Sequence, residues 1–175
     1  MHAPFSKLSC DNLGPKASRL LLPIDLAKCP PEIFPLATDF ARPFGGEIVL
    51  LHVLPQRTST LRVGGSDVDL RHAKRHLEHL GREYLRSTIG VEFQVRVGIP
   101  HEEILAEAAA AAVDLILLPV FTPSIWKRLA GTAYGETTRS VVTHASCRVF
   151  VVDVRARFNC VRRWAGEEPR NLWAA

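Results

Sequence analysis

The shortages in this chain narrow its class more than its abundances do. Its 4 cysteines, Cys10, Cys29, Cys147 and Cys160, include no C-x-x-C pair and no zinc-type spacing. That excludes a disulfide-stapled scaffold and suits reduced thiols in a cytosolic protein. No apolar run approaches the roughly 20 residues that cross a bilayer. Met1 to Arg19 also lacks a basic segment followed by an apolar one, so no secretory signal is expected and the location expected is cytoplasmic. An excess of one charge is missing too: 22 basic residues face 18 acidic ones, for a net charge of +4. A balance that even does not by itself imply nucleic acid. Walker A, G-x-S-x-G and H-E-x-x-H motifs are absent, and nothing gathers Ser, His and Asp into a triad. No catalytic residue and no metal ligand set is expected, and the chain does not read as an enzyme.

What is present is enough apolar material for one domain, at 47% of 175 residues. The stretch from Asp114 to Val152 organises the rest. It contains an aliphatic run (Leu115 to Val120), a loop, a helical pattern from about Glu136 to Thr143, and a second run (Val149 to Val152). Such runs read as parallel strands buried on both faces. The loop leaves the carboxyl end of one strand, where open α/β sheets bind ligands.

Residues 1–17 lack periodicity and read as a mobile arm. A short strand is expected from Arg19 to Asp25, then a helix using Ile33, Leu36, Phe40 and Phe44 that Pro35 and Pro43 should delay, kink or shorten. Gly45-Gly46 stops it, and Glu47 to Leu54 reads as a second buried strand. After a loop, Leu70, Ala73, Leu77, Leu80 and Tyr84 mark an amphipathic helix from about Asp67 to Ser87. Val91 to Val97 alternates like an edge strand. Pro100 then opens an Ala-rich helix with Glu102 and Glu103 in its first turn and an expected buried stripe of Ile104, Leu105, Ala108 and Ala112. Alternating strands and helices give an α/β class with a mostly parallel sheet. The domain is expected over 18–154, with a basic tail over 155–175.

Pro23-Ile-Asp25, Leu51-His-Val53, Gly98-Ile-Pro100, Asp114-Leu-Ile and His144-Ala-Ser-Cys147 together resemble the universal stress protein family. The resemblance implies a Rossmann-like open sheet of five strands in the order 3-2-1-4-5, with helices on both faces, and a role in stress response. It also implies a homodimer, often paired through the last strand, here Val149 to Val152. An aliphatic edge strand needs a partner or a cover in any case. Arg148 and Asp153 would rim such pairing, and a monomer whose tail covers that edge is the alternative.

The resemblance further implies an adenine pocket at Pro23, Asp25 and Val53, and a phosphate cradle ending at Gly135. ATP-holding members carry glycines at the positions here occupied by Thr122 and Ile125. The position after the last glycine, where they carry a hydroxyl, is here Glu136. A carboxylate at a helix start satisfies the dipole and opposes a phosphate. Pro123 removes one more donor from that loop. The expectation is therefore a non-catalytic dimer that acts through an unidentified protein partner and holds no ATP in the family manner. The alternative is an adenine-nucleotide binder, for ATP or AMP, that retains adenosine at Asp25 and Val53.

Several features stay open at this stage. Asp25 also suits a helix cap. Lys127 and Arg128 suit either phosphate or solvent. His72, His76, His79 and Glu83 share a helix face that fits a metal in spacing and a solvated surface in composition. Cys147 reads as packed rather than reactive. The tail arginines, with Phe158, Trp164 and Trp173, suit a solvated tail or a polyanion contact.

Overall fold

Each aliphatic run forms a strand. The structure is a computed structural model that describes residues 18–42, 45–55, 65–85, 89–120, 135–153 and 160–163. Its parallel strands are β1 (Arg19–Pro23), β2 (Glu47–Pro55), β3 (Gly90–Gly98), β4 (Leu115–Val120) and β5 (Arg148–Asp153). Between them run α1 (Ile33–Ala41), α2 (Gly65–Tyr84), α3 (Pro100–Ala110) and α4 (Glu136–His144). The parallel strands lie in the order β3-β2-β1-β4-β5. This is the order implied by the resemblance.

Strand alternation divides the core. Leu20, Leu22, Ile48, Leu50 and Phe150 pack with Phe34, Phe40 and Leu77 of α1 and α2. Leu21, Val49, Leu51, Ile116 and Val151 face α3 and α4, where Ile104, Ala108 and Val141 complete the other layer. On β3, Val91, Phe93 and Val95 pack on the α1/α2 side, while Arg96 on the alternate register turns to α3 and bonds Glu103 and Glu107 at 2.5 and 2.9 Å. β3 thus has one apolar face, as its alternating sequence requires of an edge strand.

Local departures from the sequence reading have local causes. Pro35 falls in the first turn of α1, where N–H groups have no intrahelical acceptor, so the helix tolerates it. Gly45 adopts φ +60° just beyond that helix, and Gly46 N–H returns to the Ala41 carbonyl at 3.0 Å. This glycine terminator is of the expected kind. The buried stripe of α3 is Ile104, Glu107 and Ala108, not Ile104, Leu105, Ala108 and Ala112. Arg96 neutralises Glu107 and so allows its burial, whereas Ala112 lies past the helix end at φ 48°.

The largest departure is at β5. A further strand, β6 (Cys160–Arg163), pairs antiparallel with it, placing Val152 opposite Cys160 and Val149 opposite Arg163. Among the described residues the sheet therefore has six strands, the sixth formed by residues 160–163. The Val149–Val152 edge expected to be open for pairing is covered within the chain. The physical reason is that an unpaired aliphatic strand offers a row of unmet N–H and C=O groups, and the nearest segment able to meet them does so. Among the described residues, no helix is long and apolar enough to cross a membrane.

Candidate functional site

The two ends of the sheet are built differently. At the amino end, Asp114 accepts bonds from Ser18 N–H at 2.8 Å, Ser18 Oγ at 3.0 Å and Arg19 N–H at 3.0 Å. Its own N–H bonds the Arg19 carbonyl at 2.9 Å, so this one residue fastens the start of β1 to the start of β4. Burial alone would raise its carboxyl pKa. The Arg19 and Ser18 donors, with the Arg148 charge nearby, outweigh burial and hold it below the ordinary value.

Toward the carboxyl end the same two strands part. β1 pairs with β4 only at Leu20 opposite Leu115 and Leu21 opposite Ile116, while its pairing with β2 continues through Pro23. This end of the pair lies where the chain crosses from the β1-to-β3 half of the sheet to the β4–β5 half, the switch point at which such sheets take ligands. Pro23 is buried, and by alternation it shares the α3/α4 face with Val53, which is half-buried against that core layer. Because α3 and α4 each precede a parallel strand, their N-termini lie at this end as well.

Asp25 follows β1 and is exposed. One of its oxygens accepts Ala27 N–H at 3.0 Å, and its backbone carbonyl accepts Lys28 N–H at 2.9 Å. The residue caps its own turn, not helix α1, whose N-cap Glu32 makes no side-chain capping bond. A residue to which the sequence reading gave no role holds this turn in place. The buried His52, from Leu51-His-Val53, donates Nδ1–H to the Ile24 carbonyl at 2.9 Å. Ile24 N–H in turn bonds the Leu51 carbonyl at 2.8 Å. Both backbone groups of Ile24 are thus tied to β2, which fixes the point where β1 leaves the sheet. The signal was present in the sequence as a histidine within an aliphatic run, a polar group that burial obliges to find a partner.

Gly135 is the N-cap of α4 at φ −63° and ψ 164°, with no side-chain capping bond, and a Cβ built there meets nothing within 4 Å. Neither dihedral strain nor crowding requires glycine at this position. Glu136 follows, exposed in the first turn. Pro23, Asp25, Val53 and Gly135 are thus gathered at one end of the sheet. The first turn of α4 carries the Glu136 carboxylate, and Arg139 is exposed at its fourth position. Thr122, Pro123, Ile125, Lys127 and Arg128 lie outside the described residues, as do Phe158, Trp164 and Trp173.

His72, His76 and His79 are exposed, and His79 lies 3.5 Å from Glu83 one turn on. Among the described residues, no group of three or more His, Cys, Asp or Glu side chains is placed to hold a metal ion. Burial, with Asp25 and Glu32 adding to it, pushes the Cys29 thiol up to about 11. Cys147 is also raised, chiefly by burial, so neither is an activated thiolate.

Comparison with known proteins agrees with this architecture. No curated protein matches the chain. The hypothetical protein MJ0577 superposes with a TM-score of 0.66 at 24% identity, covering 79% of this chain and 96% of that one. The universal stress protein UspA from Lactobacillus plantarum gives 0.61 at 24% identity, covering 78% and 97%. A universal stress protein in complex with cAMP gives 0.52 at 16% identity, covering 79% and 98%. Likenesses at these identities establish the fold. The sequence profile of the universal stress protein family matches residues 16–153, and with that span the chain belongs to the universal stress protein family.

Proposed function

We propose that the chain is a non-catalytic, cytoplasmic stress-response protein that works by binding partners and does not hold ATP in the manner expected from the family. One observation carries this reading: Glu136 stands exposed in the first turn of α4, where a phosphate would have to approach. An uncapped helix start favours an anion, but this one is already supplied with an anion of its own. A second carboxylate-to-phosphate approach adds like-charge repulsion where the dipole would have helped. The sequence adds to the reading, since Thr122 and Ile125 stand where ATP-holding members are expected to carry glycine, the residue that lets a backbone approach a phosphate most closely.

A second reading is supported by the switch point between β1 and β4. Pro23 and Val53 share one face of the sheet beside it, and Asp25 keeps one carboxylate oxygen outside its turn bond. An adenosine or AMP ligand fits this half without the phosphate cradle, and the neighbour in complex with cAMP offers a precedent in this fold. A homodimer through Val149–Val152 would need the β5 edge that β6 holds, so pairing there requires β6 to leave.

Denaturing the purified full-length chain and chromatographing the supernatant tests the first reading. No stoichiometric adenine triphosphate is expected. Release of one ATP per chain would overturn it.

A further inference from the structure

From the pairing of β6 we infer a built-in competitor for self-association: β6 occupies the β5 edge of the sheet, on which a second copy of this chain would dock, and release of β6 exposes that edge to the copy. The inference is independent of what the switch point binds. β5 runs Arg148–Asp153, and Val149, Phe150, Val151 and Val152 are all buried. Without a neighbour, such a strand is a sticky aliphatic edge with unmet backbone groups. The partner that meets those groups with least rearrangement is another β5 running antiparallel, because antiparallel self-pairing about a two-fold axis is self-complementary. β6 is antiparallel to β5 over Val149 to Val152. It therefore fills the position and the direction that the second copy would take.

β6 lies beyond the family-matched span, which ends at residue 153. It is thus an addition to the domain, tethered by residues 154–159. So short a tether gives β6 a high effective concentration at β5, which a free second copy must exceed. The substitution also changes the nature of the edge. β5 offers a run of Val and Phe, whereas β6 reads Cys-Val-Arg-Arg, half of it charged. Charged residues on an outermost strand discourage further pairing, and two copies of β6 would set like charges together. The chain in its closed form is accordingly a monomer at this edge.

Two full-length variants test this by sedimentation. Val161→Pro combined with Arg162→Pro removes two consecutive N–H groups; since alternate residues of a strand face its neighbour, one of the two faces β5. This variant is expected to dimerise at least about tenfold more tightly than the native chain. Val152→Cys places a thiol directly opposite native Cys160, within the span a cross-strand disulfide bridges. On oxidation it is expected to close within one chain and remain monomeric. If the native chain dimerises as tightly as the double-proline variant, or if Val152→Cys oxidises into disulfide-linked pairs of chains, the inference is overturned.

Discussion

The amino and carboxyl ends of this sheet contrast in how they use their polar groups. At the amino end, Asp114 takes three donors from Ser18 and Arg19, and Arg19 in turn pairs with Glu92. At the carboxyl end, Asp25 satisfies only its own turn, Gly135 caps α4 without a side-chain bond, and Glu136 stands in water. Polar groups bonded to one another stabilise the fold and leave nothing for a ligand, whereas an end that leaves them unpaired is weaker locally and open chemically. The comparison therefore separates residues that hold the structure from residues to which the proposed function is assigned.

The contrast predicts graded effects. Asp114→Ala should cost about 2–3 kcal/mol in urea unfolding, because it strands donors at the start of β1. Asp25→Ala should cost less than about 1 kcal/mol, as expected of an exposed turn bond. Equal losses would erase the distinction between the two ends. Asp114 also fixes a pH dependence. Its folded pKa lies below the ordinary 3.8, so its contribution is present above that value and is lost as pH falls through the folded one. Native and Asp114→Asn unfolding curves should accordingly converge below about pH 3.8 and separate above it.

The glycines sharpen the comparison at a similar or smaller magnitude. A Cβ at Gly81 would run into the Phe93 ring, and one at Gly98 would lie 2.6 Å from Glu103 Oε1. Alanine at either is expected to cost about 1–3 kcal/mol by overpacking. Gly135→Ala, with open space around it, meets no clash and should cost at most about 1 kcal/mol, from the poorer N-cap alone. Thermal denaturation of the three variants checks this ranking. His52→Leu is expected to cost about 1 kcal/mol from the lost bond to Ile24. Amide exchange from Ile24 to Lys28 should accelerate there, while exchange in the middle of β2 stays slow. Uniform acceleration would make His52 a general core residue and not the holder of the turn.

Much of this was legible in the sequence, for stated reasons. β1, β2, β4 and β5 announced themselves as aliphatic runs because strands covered on both faces have little need of polar residues. The Gly45 stop and the Pro100 start were legible because backbone geometry restricts which residues serve there. Burial of Glu107 was not, since its partner Arg96 stands on a neighbouring strand and periodicity carries no information about cross-element ion pairs. β6 was hidden for a related reason: with Val161 between Cys160 and two arginines, its own pattern is weak, and the open edge of β5 decides its pairing. At the candidate site, Pro23, Asp25, Val53 and Gly135 are singled out by family resemblance alone, whereas the turn bond of Asp25 and the hold of His52 depend on contacts that no sequence pattern carries.

Calorimetric titration of adenosine, AMP and ATP into the full-length chain tests most directly whether the carboxyl end keeps room for a nucleoside while α4 opposes its phosphates. The account predicts that each added phosphate fails to tighten binding, with ATP no stronger than AMP, and that Glu136→Ser shifts the ratio toward ATP. ATP binding about tenfold or more tightly than AMP to the native chain would contradict it.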